Sequence, residues 1–310
     1  IIDGGQNIII NFNLGENLAL LKNITLENGR NGVVISSNSH VTLEYLIIKN
    51  NSYENGEGAG VLVNENSSVE IYNCEFIDNF AKFGGAIFLH DSFDSQISHT
   101  IIENNLATVS GGGIYIKNSN VTASNTILKS NKATEQGGGV FINNNSDVNF
   151  DLIEIINNET ERNYCTGQGS QGAGIFIKES KFNISNSKIN NNIAKDSGGA
   201  FFITDSDSIS FNFVSIISNQ AGYGDCGGHY TTNAGGAGIL NSSNISFINC
   251  TISNNSTDLI ANRVGGIHSI QSSILINNSI VFYNNGYYNE AKRYFQIAWN
   301  LDSLQCDKSI

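Results

Sequence analysis

Proline is absent from all 310 residues, and so is methionine. A chain without proline keeps every backbone N–H available, which suits strands paired on both sides. Tryptophan occurs once, and charged residues make up only 14% of the chain. The 16 Lys and Arg are scattered among 28 Asp and Glu, for a net charge of −12. That balance argues against a nucleic-acid surface, which needs clustered cations. No apolar run approaches the roughly 18 residues of a membrane-crossing helix. No leader segment is visible. The opening Ile1-Ile2-Asp3-Gly4-Gly5 reads like the inside of a repeat, so the sequence is expected to be a mature or truncated piece of a longer protein.

What is present is a repeated phrase, seen best in Cys74 to Phe88, CEFIDNFAKFGGAIF. Its Asn recurs as Asn51, Asn79, Asn105, Asn131, Asn158, Asn192, Asn219, Asn255 and Asn285, at spacings of 28, 26, 26, 27, 34, 27, 36 and 30. An apolar residue stands three places before each, as in Phe76, Ile102 and Leu128, and a small residue two places after, as in Ala81, Ala107 and Ala133. Then comes a glycine pair leading into a strand, as in Gly84-Gly85-Ala86-Ile87. A fixed period of this length marks a repeat array. Each unit carries three short stretches of period-2 alternation, such as Val61-x-Val63, Val69-x-Ile71 and Cys74-x-Phe76. A unit this small cannot bury its own apolar face, so its neighbours must stack on it.

The reading is an all-β, single-stranded right-handed parallel β-helix of about nine to ten coils of 26–28 residues, with three short strands per coil. One domain covers 1–310: an irregular first coil or cap at 1–30, regular coils at 31–285, and a cap or last coil at 286–310. In the last stretch, Tyr294 to Trp299 reads as a final strand or as part of a short helix. The recurring Asn is expected to bond its own turn and the Asn above it, as a ladder.

Phe76-Ile77-Asp78-Asn79 followed by Gly84-Gly85-Ala86-Ile87 resembles the FxxN…GGA(I/L/V) repeat of the polymorphic outer membrane proteins. About nine looser copies cover residues 20–285, most with Ile or Leu for Phe and Gly for Ala. The resemblance implies a β-helical passenger region of a secreted adhesin. That family's C-terminal membrane barrel has no counterpart in this sequence.

Cys74 and Cys250 share one slot six coils apart, roughly 29 Å at the strand spacing, and are expected to be small buried hydrophobes. Cys165 and Cys226 lie in two long insertions, 159–171 and 220–234, that follow the same bend and are read as belonging to adjacent coils. A Cys165–Cys226 disulfide is therefore expected, which implies an oxidising, extracellular setting. Cys306 is left over.

The insertions are the strong breaks in the repeat, and loops on a rigid scaffold carry function more often than the scaffold does. Glu161, Tyr164, Tyr223, Asp225, His229 and Tyr230 make a candidate glycan-binding set: rings for sugar faces, polar groups for hydroxyls. Two carboxylates at a set separation would serve a glycosidase. A disulfide-tied surface elaboration without ligand is the plain alternative. The close acidic pairs elsewhere, Asp91-x-x-Asp94 and Asp205-x-Asp207, sit at turns and lack the ligand count of a Ca²⁺ loop. The glycine pairs enter strands, so they cradle no phosphate, and no cofactor or metal is expected. Of the thirteen N-x-S/T sequons, Asn66, Asn120, Asn144, Asn183 and Asn241 fall at turns or outward positions and are the glycosylation candidates. The functional expectation is a secreted or cell-surface, non-enzymatic rod, an adhesin or a component of a surface filament. Its partners would be other surface proteins, glycans or its own copies. The alternative is a polysaccharide-binding or polysaccharide-cleaving protein working through the two insertions.

Overall fold

The computed structural model describes residues 1–161, 169–222, 235–242, 244–257, 264–269, 272–284 and 297–298. One coil shows the plan. Ile114–Lys117 lies in sheet 1, Asn120–Ser124 in sheet 2, Ile127–Lys129 in sheet 3 and Lys132–Ala133 in sheet 4. The chain then re-enters sheet 1 at Val140–Asn143, which pairs in parallel with Ile114–Lys117 residue for residue. Repetition builds sheets 1 to 4 with ten, ten, twelve and eight strands among the described residues. This is a parallel β-helix, right-handed as such crossovers are. Residues 1–30 join the stack through Ile2–Asp3, Ile8–Phe12, Ala19–Lys22 and Thr25–Glu27. At the other end Ile297–Ala298 turns back antiparallel against Ile280–Phe282.

Sheet 4 adds a fourth strand to the three that alternation revealed. In most coils it is two residues long, Lys132–Ala133 pairing with Glu159–Thr160 and these with Ile193–Ala194. Two residues cannot display a period, which is why the sequence pattern is silent there. Its inward member is the small residue of the repeat, buried Ala81, Ala107, Ala133, Ala194 or Ala221.

Every coil sends the same positions inward. The middle residue of each sheet-3 strand, from Leu26 and Ile48 through Phe76 to Ile252, is fully buried. Each such side chain contributes about 1.5–3 kcal/mol by leaving water. Where sheet 1 swaps its usual Ile for the larger Phe201, the residue stacked above is Gly238. A Cβ there would lie 2.0 Å from the Phe201 ring, so glycine makes the room.

The Asn of each coil begins sheet 4 and is buried. The Asn131 Oδ1 accepts from both the backbone N–H and the Nδ2 of Asn105, each at 3.0 Å. Its own Nδ2 donates to the Ile102 carbonyl at 2.8 Å and to Asn158 Oδ1 at 3.1 Å. The same pattern links Asn51, Asn79, Asn105, Asn131, Asn158, Asn192, Asn219 and Asn255. The last described rung is Asn284, which accepts from Asn255 at 2.9 Å, one residue before the Asn285 named from the sequence. Val281, not Phe282, is the residue in register with Ile252. The unbroken apolar run Ile280-Val281-Phe282 hid that phase. Asn285 itself lies outside the described residues.

Two further ladders escaped the sequence reading. Between sheets 1 and 2, Ser119, Ser146, Ser180, Ser206 and Ser242 are buried, and each hydroxyl accepts from the backbone N–H one coil before, at 3.0–3.2 Å. Between sheets 2 and 3, Thr100, Ser187 and Ser279 do the same for Cys74, Ile153 and Cys250. Cys74 and Cys250 occupy this hydroxyl slot themselves. Cys74 Sγ accepts from the Leu46 N–H at 3.4 Å, and both thiols donate to the carbonyl two residues back. They are thus buried, as small hydrophobes would be, but stand in the turn before the sheet-3 strand and do a hydroxyl's work.

Asn131→Ala strands the Asn105 N–H and the Ile102 carbonyl, at about 1–3 kcal/mol each. It is expected to cost about 3 kcal/mol in urea unfolding, whereas Asn120→Ala on the outer face should stay within about 0.5 kcal/mol. Burial pushes the Cys74 thiol up to about 11 and raises that of Cys250. Alkylation at pH 8 followed by peptide mapping should leave both unmodified in the folded chain and label both in denaturant.

Candidate functional site

A stripe of aromatics runs up the outside of sheet 1. Phe88, Tyr115, Phe141, Phe176 and Phe202 follow one another in register. Successive ring centroids are 4.9, 4.6, 5.1 and 5.5 Å apart, with planes within 20° of parallel. Their faces are therefore spent on one another. The turn entering each strand closes over their bases: Gly111 has φ +70, and a Cβ there would stand 2.9 Å from that of Tyr115. Phe88 is 2% exposed and Phe141 6%. Burial also pushes the Tyr115 phenol up to about 12. From Phe88 to Phe176 no ring face is open to a sugar, and the stripe is a second, external core.

The insertions begin at sheet 4. Their roots, Glu159–Thr160 and Gln220–Ala221, are not in adjacent coils: Ile193–Ala194 lies between them. That separates the roots by about 10 Å, two strand spacings. The insertions that carry Cys165 and Cys226 are thus not the neighbours in the stack expected from the sequence, because the coil of Asn192 lies between them. The two cysteines, with Tyr164, Tyr223, Asp225, His229 and Tyr230, lie outside the described residues. Glu161 is described and engaged. Lys132 Nζ binds Glu161 at 2.8 Å and Glu159 at 3.1 Å, while Lys195 stands 3.8 Å from Glu159. The hydrogen bond to Glu161, with help from Glu159, raises the Lys132 ammonium above its ordinary range.

Elsewhere acids pair with lysines one coil away in register. Glu27 and Lys49 are 3.1 Å apart, Glu103 and Lys129 2.9 Å, and Glu154 and Lys188 2.7 Å. Among the described residues no group of three His, Cys, Asp or Glu could hold a metal ion.

Sheet 2 carries an outer concavity of about 320 Å³. One wall is the register column Gln96, Thr122, Asn149 and Asn183, and the other is Ser98, Ser124, Asp151 and Ser185. Hydrogen bonds from Ser185 at 2.7 Å and Asn186 at 2.8 Å hold the Asp151 carboxyl below its usual range. The surface offers short amides and hydroxyls at every coil. Of the sequons, Asn66 and Asn144 are exposed at turns with φ 57 and 55. Asn120 and Asn183 are exposed on sheet 2, and Asn241 is half-buried after sheet 1.

The residue after each sheet-2 strand forms a column that the sequence reading did not isolate. It runs Asn23, Tyr45, Asn73, His99, Asn125, Leu152, Asn186, Phe213, Asn249 and Asn278, all with φ between 45 and 57. Asn tolerates this left-handed conformation by local hydrogen bonding, whereas other side chains pay about 1–2 kcal/mol. Yet Tyr45, His99, Leu152 and Phe213 take alternate places and are exposed, Phe213 at 57%. Tyr72, beside Asn73, meets the Tyr45 and His99 rings edge-on at 6.1 and 5.3 Å.

A family model described as a right handed beta helix region matches residues 1–155. Metabotropic glutamate receptor-like protein Q of Dictyostelium discoideum is 32% identical over 112 residues, which is 36% of this chain and 9% of that protein. The chain thus covers less than a tenth of that relative's length. No solved structure matches it.

Phe141→Ala is expected to cost about 3–5 kcal/mol in urea unfolding, the range for deleting a buried ring. Unchanged stability would mean the stripe is kept for a ligand.

Proposed function

This chain belongs to the right-handed β-helix family, and from that premise we propose an extracellular or cell-surface rod acting as an adhesin or structural module of a surface assembly, without catalysis. One observation carries the reading. The described carboxyls whose acidity is displaced, Asp3, Glu16 and Asp151, are all held below their usual range by hydrogen bonds. A polysaccharide hydrolase needs the reverse, one carboxyl raised so that it can protonate the leaving oxygen. The acids Glu27, Glu103, Glu154 and Glu159 of sheets 3 and 4 are each engaged by a lysine at 2.7–3.1 Å. The likeness of a third of the chain to part of a receptor-like protein, and the FxxN…GGA resemblance to surface adhesins, favour display outside the cell. The exposed sequons Asn66, Asn120 and Asn183 are compatible with it.

A second reading draws on the concavity of sheet 2. Its repeated amides and hydroxyls suit the hydroxyls of an extended glycan. Two measurements separate the readings. Antibody against the purified chain is expected to label intact, unpermeabilised source cells; labelling only after permeabilisation sinks the surface assignment. Incubation with neutral and acidic polysaccharides is expected to release no new reducing ends. Release that Asp151→Asn abolishes would place an enzyme at the concavity.

A further inference from the structure

We propose that the corner between sheets 2 and 3 is a self-recognition surface on which two copies of this chain pair side by side and antiparallel. The coils are numbered from the sheet-2 strand Ala19–Lys22 as coil 1 to Ile209–Asn212 as coil 8. Bulky residues then stand at coils 2, 4, 6 and 8, and Asn at coils 1, 3, 5 and 7. Knobs and gaps alternate at one coil, so each series repeats every two coils, about 9.6 Å.

Such a ridge is complementary to itself. A two-fold axis across the corner between coils 4 and 5 brings each knob opposite an Asn: Tyr45 to Asn186, His99 to Asn125, Leu152 to Asn73 beside the Tyr72 ring, Phe213 to Asn23. The pairing is isologous and closes with two copies. Parallel rods at equal height would set knob against knob. Beside the axis, the outward sheet-3 residues facing each other are half-buried Ile101 and Ile127, an apolar centre. The one acid-on-acid meeting, Glu75 with Glu154, is tempered by Lys188, already 2.7 Å from Glu154. A foreign partner would not require knob spacing to equal gap spacing; a second copy does. Within one copy Tyr45 and His99 meet the Tyr72 ring, whereas Asn249 and Asn278 fill the same corner without large side chains.

The test replaces the knobs by the column's own residue, Tyr45→Asn, Leu152→Asn and Phe213→Asn together. Sedimentation velocity over a concentration series is expected to show a reversible dimer for the native chain and at least tenfold weaker association for the triple variant. The variant's Tm, measured under monomeric conditions, should stay equal or rise, because the left-handed corner suits Asn better. In a chain carrying Asn73→Cys and Leu152→Cys, oxidation should cross-link two copies through Cys pairs between unlike positions. A native chain that stays monomeric overturns the proposal, as does undiminished association of the triple variant. A lowered Tm would assign the knobs to packing within one copy and overturn it too. Glycan or cell binding that a monomeric native chain shows and the variant loses would give the ridge to a foreign ligand. None of these outcomes depends on where the protein is displayed.

Discussion

The structure depends on one constraint: a coil that stacks in register on its neighbour must satisfy the backbone groups of its corners from that same neighbour. Strands do this with their ladder bonds, but a corner turns the backbone out of line. Side chains substitute there, Asn at the entry to sheet 4, Ser between sheets 1 and 2, and Ser, Thr or Cys between sheets 2 and 3. Each is short, buried and able to accept from an N–H one coil away. A buried amide left without such a partner costs as much as a good hydrophobic contact gains. The repeat is therefore held as firmly by its polar corners as by its apolar faces.

The same constraint sorts the surface into kinds of freedom. Outward strand positions are free to vary, and acids and lysines fall there in register-matched pairs. The bend from sheet 4 to sheet 1 is free to lengthen, because the coils on either side of each insertion keep their Asn corners in register. The left-handed corner is free only for Asn at no cost, so departures from Asn there carry information. Sheet 1 uses its outer face differently, filling it with rings that pack on one another under the incoming turns.

Much of the fold was legible because burial on one face leaves a period of two, and because Asn in a fixed frame is conspicuous. Phe76 and Asn79 announce their places. The serine and hydroxyl ladders were not legible, since Ser is common and its offset from the strand varies: Ser119 follows Ile116 by three residues, whereas Ser146 follows Ile142 by four. Sheet 4 is too short to show alternation. The phase at Asn284 is hidden in a run of three apolar residues, and the Asn192 coil, legible in the Asn spacing, is what separates the two insertions. Of the candidate loop set, Glu161 is described, and it is bound to Lys132. The stacked rings of sheet 1 were visible as letters, yet only register shows that Phe88, Tyr115 and Phe141 share one column and so bury each other.

The hydrogen bonds between coils run along the length of the rod, and that orientation governs how it meets force. Tension applied at the two ends does not shear whole sheets; it opens one interface between coils at a time, in series. Each opening would release one coil of 26–28 residues, about 90 Å of extended chain, while the coils beyond it stay folded. A rod of this kind yields in steps and lengthens manyfold before it is fully unravelled.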